Sequence, residues 1–497
     1  MTNKVSIRQL ATGVPGLDAL LGGGLPEFSF NLIAGAPGVG KMTLAHQIMF
    51  ALASPQRRAL YFTALGEPPL KMLRYQQQFA FFDVDKIDES VRFVNLAGEV
   101  SNGDFNQVLA RILREIETDS PGLVFVDSFR AVMLASKSRP DDSGALQFVQ
   151  QLGMHLTSWE ATTFLVGEYI FTESETNPVF TVADGLIWLT HNIHRDSMVR
   201  KMEVKKIRGQ APLPGLHTFR ITDAGVQAFP RAIVGAAITP QPAAGGKRTG
   251  RLSVGVPRLD AMLGGGLPQG YSLLIAGPSG SGKTILVTAF LQEGARRGEP
   301  GVIAAFEKSP SQRLSPVLAD LASAGQLGVI DTRSLDLDTD VTLNEMIGMI
   351  DRMHAKRVVI DSLSGFELAL APTNSENFRE SLYRMVAVLT GKGMTVVMTS
   401  ELEDRYTDLR FSPYGAAFLT DAIIVQRYIE MKSELRRVIA VVKVRASAHS
   451  NELHLFEIND DGLVIGDPLT GYEGLLGGQP ALATRLMQAD HGESQAR

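Results

Sequence analysis

One glycine-rich loop sequence occurs twice in this chain, and the turn it specifies leaves few folds open. The first copy reads Gly35-Ala36-Pro37-Gly38-Val39-Gly40-Lys41-Met42, the second Gly277-Pro278-Ser279-Gly280-Ser281-Gly282-Lys283-Thr284. Glycines at this spacing let backbone N–H groups close around phosphate oxygens, and the lysine reaches the outer phosphates. Such a loop belongs between a buried strand and a helix whose positive end faces the anion. The copies part at their last position. Thr284 has the hydroxyl that ligates Mg²⁺ in such loops, and Met42 puts a thioether there.

The repeat extends beyond the loops. Gly13-Val14-Pro15-Gly16-Leu17-Asp18-Ala19-Leu20-Leu21-Gly22-Gly23-Gly24-Leu25-Pro26 recurs as Gly255-Val256-Pro257-Arg258-Leu259-Asp260-Ala261-Met262-Leu263-Gly264-Gly265-Gly266-Leu267-Pro268, with two positions different. A duplicated domain follows from this. The expected units are residues 1–230 and 251–476, with 231–250 as an Ala-, Pro- and Gly-rich linker and 477–497 as a loose polar tail.

Within the second unit the patterning predicts strands at 272–276, 301–306, 329–333, 357–360 and 395–399. Helices are expected at 284–296, 311–324, 343–354 and 377–391. The first unit runs parallel, with strands at 60–64, 123–126 and 162–166. Short apolar β-rich runs separated by helices predict an α/β fold: two tandem domains, each a mostly parallel sheet flanked by helices. Residues 421–428 and 437–443 read as added strands.

Composition narrows the function. With no cysteine, disulfides, thiolate metal sites and a cysteine nucleophile are excluded. A net charge of −5 gives no electrostatic case for nucleic acid or an anionic membrane. No apolar run reaches the length of a membrane span, and residues 1–11 lack the core of a secretory signal, so a cytoplasmic location is expected.

Three further groups carry chemistry. Val358-Val359-Ile360-Asp361 is an apolar strand ending in an acid that would sit beside the loop and hold the metal or its water. Glu307 ends another apolar strand and could take a proton from water or from a hydroxyl. Lys443 and Arg445 fall on one face of a β-rich run. From spacing alone they read as two solvated cations.

These features in order resemble the KaiC family, in the RecA-like branch of phosphate-loop ATPases. The repeated opening, both loops, Phe306-Glu307, Val126-Asp127-Ser128, Ile360-Asp361-Ser362, Lys206-Ile207-Arg208-Gly209 and Lys443-Val444-Arg445 carry the resemblance over nearly the whole chain. It implies RecA-like domains in a double-ringed homohexamer with ATP between subunits. It also implies that Glu307 is the catalytic carboxylate and that Lys443 and Arg445 reach the neighbour's γ-phosphate. Lys206 and Arg208 are the matching pair of the first ring. A KaiB-like adaptor or a histidine kinase is a partner by resemblance only.

The chain departs from the family pattern in several places. Two adjacent glutamates usually follow the second strand. Here the second repeat has Glu307-Lys308, and the first has Gly66-Glu67, so the first lacks the catalytic one. Thr43 neighbours Met42, but one residue along a helix turns a side chain by about 100°. The first site is therefore expected to bind nucleotide through Lys41, Thr43 and the loop backbone, and to hydrolyse it slowly or not at all. The serine and threonine phosphorylated in the clock protein fall, aligned on Thr420-Asp421, at Ala417 and Phe418, which accept no phosphoryl group. Thr420 and Ser412 are other hydroxyls of that region. The leading expectation is a signalling ATPase with ATP and Mg²⁺ bound mainly by the second repeat. A protein kinase, a RecA- or RadA-like DNA-binding ATPase and a nucleotide-stabilised scaffold are the alternatives.

Overall fold

The computed structural model describes residues 7–64, 69–135, 143–170, 177–194, 197–231, 250–306, 315–330, 338–370, 378–402, 419–431, 433–460, 462–470, 472–473 and 481–482. The chain divides into two compact units, residues 1–231 and 232–497. Almost all of the expected linker, and all but two residues of the expected tail, lie outside the described residues.

The first unit is built on a nine-stranded sheet: β1 (Phe30–Gly35), β2 (Ala59–Thr63), β3 (Val91–Asn95), β4 (Leu123–Asp127), β5 (Thr162–Glu168), β6 (Gly185–His194), β7 (Ser197–Ile207), β8 (His217–Thr222) and β9 (Gly225–Phe229). They lie in the order β9-β8-β7-β6-β1-β5-β4-β2-β3. Strands β1 to β6 pair in parallel, and β7, β8 and β9 continue the sheet antiparallel. The second unit repeats the plan with β10 (Ser272–Gly277), β11 (Gly301–Ala305), β12 (Leu327–Ile330), β13 (Arg357–Asp361), β14 (Thr395–Glu401), β15 (Ala422–Met431), β16 (Glu434–Val444), β17 (His454–Asn459) and β18 (Gly462–Pro468). Its order, β18-β17-β16-β15-β10-β14-β13-β11-β12, is the same topology. Strands β17 and β18, and their counterparts β8 and β9, are additions that the sequence pattern did not reveal.

Both loop-bearing strands are central and fully buried. Their residues alternate between the two cores. Leu32 and Ala34 join one cluster and Ile33 the other, as Leu274 and Ala276 are separated from Leu273 and Ile275. A sheet with helices on both faces requires this pattern, because neither set of side chains can face water. Burying each such Leu or Ile contributes about 2 kcal/mol. The helices that follow the loops, α1 (Lys41–Leu52) and α2 (Lys283–Arg296), pack into the cores through Leu44, Ile48 and Met49, and through Leu286, Val287 and Phe290.

Candidate active site

The second loop closes as its sequence dictates. Gly280 and Gly282 have φ of 75° and 100°, in the left-handed region where a side chain is strained. A Cβ on Gly282 would also come within 2.8 Å of Ile458 on β17. The Lys283 ammonium is drawn back into the loop and donates to the carbonyls of Gly277 (2.8 Å) and Pro278 (2.7 Å). The Ser281 hydroxyl braces the turn from beneath by donating to Oε1 of Gln426 on β15 (3.2 Å).

Beside the loop, the exposed Thr284 hydroxyl donates to Oδ2 of Asp361 at 3.2 Å. The Thr399 hydroxyl, on neighbouring β14, donates to the other oxygen, Oδ1. The two groups expected to receive the metal thus already face each other across the space where it would bind, with the carboxylate oriented from behind. Among the described residues no three His, Asp or Glu side chains cluster as a metal site. A single hydroxyl and a single carboxylate suit Mg²⁺, which keeps waters and takes its other oxygens from phosphates. Thr284 and Asp361 fit that ion.

The first repeat keeps the loop and loses this pair. Gly38 and Gly40 have φ of 74° and 108°. Lys41 donates to the carbonyl of Ala36 at 2.8 Å. Burial lowers the Lys41 ammonium from its ordinary value, and the charges of Glu168 and Asp127 oppose that shift. The brace beneath the loop is exchanged: Val39 and Leu189, both fully buried in one core cluster, replace Ser281 and Gln426. At the metal position Met42 is exposed, and Oδ2 of Asp127 accepts instead from the Tyr61 hydroxyl of β2 at 2.8 Å. Burial, then Asp127, push that phenol well above its ordinary value, so it remains a donor.

The two cation pairs occupy equivalent places. Lys443 donates to the carbonyl of Thr420 at 2.7 Å, and Arg445 pairs with Asp421 at 3.1 Å. In the first repeat Lys206 donates to the carbonyl of Thr181 at 3.1 Å, and Arg208 pairs with Asp184 at 2.8 Å. Burial, and next the adjacent arginine, lower both lysines, with Asp421 and Asp184 opposing. Each lysine follows a register shift in its strand, where Ile423 pairs with Lys443 but Ile424 with Val441, and Leu186 with Lys206 but Ile187 with Val204. Such a bulge twists the strand end and re-aims its side chains.

The family model described as "ATPase: KaiC" matches residues 10–233 and again 252–470. The chain belongs to the KaiC ATPase family. It is a phosphate-loop ATPase with tandem domains. Among curated relatives, the circadian clock oscillator protein KaiC of Picosynechococcus sp. is 27% identical over 493 residues, covering 95% of this chain and 92% of the relative. The KaiC of Rippkaea orientalis is 27% identical, covering 96% and 92%. The circadian clock protein KaiC3 of Synechocystis sp. is 26% identical, covering 95% of each.

In this KaiC-family chain the structure brings together Lys283, Thr284, Asp361 and the loop residues Gly277, Pro278, Ser279, Gly280, Ser281 and Gly282. Glu307, Lys308, Gly66, Glu67, Ser412, Ala417 and Phe418 lie outside the described residues. Thr420 is fully buried. Sequence reasoning missed Thr399, Gln426 and Tyr61, since each acts through strand register and none stands in a motif. Among the described residues no helix is long and apolar enough to cross a membrane.

Proposed function

We propose that this KaiC-family ATPase binds and hydrolyses MgATP mainly in its second repeat, residues 251–476, within a homohexamer whose nucleotide state controls partner binding. The observation that carries the reading is the contact between Thr284 and Asp361, which Met42 cannot reproduce in the first repeat. Lys283 exchanges its loop carbonyls for the β- and γ-phosphates, and the backbone N–H groups of the loop hold the rest. Thr284 and Asp361 would hold Mg²⁺, which when bound would supply positive charge to the phosphate oxygens. Glu307 takes the proton of the attacking water. Lys443 and Arg445 leave Thr420 and Asp421 and neutralise charge on a neighbouring subunit's γ-phosphate. The cytoplasm is the proposed location, and a KaiB-like or histidine-kinase partner is carried by family likeness alone.

Two experiments test this. Glu307→Gln should lower turnover by at least about 100-fold while leaving ATP binding in place. Subunits carrying Lys283→Ala and subunits carrying Arg445→Ala should each be inactive, and mixed assemblies should regain turnover. Silence of the mixture would contradict action between subunits, and full activity of Glu307→Gln would remove the proposed base. The kinase alternative is weakened by the burial of Thr420 and by Ala417 and Phe418.

A further inference from the structure

The first repeat departs from the second in two places that belong together. Met42 removes the hydroxyl at the metal position. The second difference follows the β4 aspartate. Asp127-Ser128-Phe129-Arg130 corresponds to Asp361-Ser362-Leu363-Ser364, so an arginine stands where the second repeat has a serine. Arg130 Nη1 donates to the backbone carbonyl of Glu168 at 2.7 Å, and its guanidinium lies 5.4 Å from the centre of the Tyr169 ring. Both anchors touch the loop. Glu168 pairs in register with Gly35, the first loop residue, and the Tyr169 N–H donates to the Gly35 carbonyl. The cation is therefore held on the strand end that borders the phosphate cradle.

The cradle itself is preserved. Its two left-handed glycines match those of the second loop within about ten degrees, its lysine is drawn in the same way, and its brace is apolar but intact. Space beside Gly38 is open, since a Cβ there would meet nothing within 4 Å. A site that keeps the anion-binding half and loses the metal-binding half needs positive charge from another source. Guanidinium is always charged, loses less than ammonium on dehydration, and matches phosphate through two parallel N–H donors.

We propose that the first repeat is a nucleotide site that works without a divalent metal, with Arg130 and Lys41 supplying the positive charge that faces the phosphates. It rests on reading both loops as nucleotide sites and goes beyond it in the ligand, a metal-free nucleoside polyphosphate. Asp127, tied to the Tyr61 hydroxyl, becomes a structural carboxylate here.

Radiolabelled ATP binding to the full chain carrying Lys283→Ala, in excess magnesium and in EDTA, isolates the first site. The two affinities should agree within about threefold. Adding Arg130→Ser should weaken binding in EDTA by about tenfold or more, and adding Met42→Thr should make binding about tenfold tighter in magnesium than in EDTA. A fall of more than about tenfold on removing magnesium from Lys283→Ala, or no binding in either buffer, would overturn the proposal. So would an Arg130→Ser variant that binds as its parent does. The unsubstituted chain supplies an independent check: two nucleotides retained per chain in magnesium and one in EDTA support the proposal, none in EDTA overturns it. Lys41→Ala, with the second loop intact, should lose the nucleotide retained in EDTA and keep one nucleotide per chain in magnesium. That arm separates failure of this inference from failure of the second site.

Discussion

At the scale of single residues, the two repeats differ in how each aspartate is oriented. Thr399 holds Asp361 toward Thr284, whereas Tyr61 holds Asp127. Groups behind a metal ligand commonly alter metal affinity by about 10–100-fold. Thr399→Val should therefore raise the magnesium needed for half-maximal turnover by about tenfold. An unchanged magnesium titration would contradict that role. His46, on α1, is fully buried against the Tyr61 ring at 4.7 Å between centroids, and burial lowers its pKa from 6.5 to about 4. The folded chain thus keeps His46 neutral while the unfolded chain protonates it. The resulting stability is whole above pH 6.5, declines as pH falls to about 4, and amounts to roughly 3 kcal/mol. Thermal melts of wild type and His46→Leu from pH 7 downward should show a flatter pH dependence in the variant, and parallel curves would contradict it. Asp361 and Thr284 were legible as a pair in the sequence because each stands in a motif at a strand or helix end. Thr399 and Tyr61 were not, because only strand order places them behind the carboxylates.

At the scale of elements, one buried loop residue and one buried residue of the neighbouring strand differ together between the two phosphate loops. Ser281 with Gln426 is a polar version, and Val39 with Leu189 an apolar one. A mixed pair would bury a polar group without its partner, which commonly costs about 1–3 kcal/mol. Ser281→Val and Gln426→Leu should each destabilise the second unit. The double variant should cost less than the sum, by about 1 kcal/mol in denaturant unfolding. Strict additivity would contradict the brace. The strand-to-helix turns, the parallel strands and their order of alternation followed from apolar runs and glycine spacing. The antiparallel strands β17 and β18 did not, because His454–Asn459 and Gly462–Pro468 bury only alternate residues and lack the continuous buried apolar run of the central strands. The bulges before Lys206 and Lys443 leave no sequence signature beyond their repetition. They separate those cations from simple strand alternation.

At the scale of the whole molecule, duplication gave two sites that began alike and kept different parts of one chemistry. The second retains the loop with its hydroxyl and carboxylate in contact, and the first retains the loop and a carboxylate held by Tyr61. The family model spans both repeats, so tandem ATPase domains follow from the comparison, while the division of labour rests on Met42, Gly66 and Arg130. The most direct test is steady-state hydrolysis of MgATP by wild type, Lys41→Ala and Lys283→Ala, with the mass of each assembly measured by light scattering. If catalysis belongs to the second repeat, Lys283→Ala abolishes turnover and Lys41→Ala, in an assembly of wild-type size, retains most of it. Turnover that survives Lys283→Ala and disappears in Lys41→Ala would contradict it.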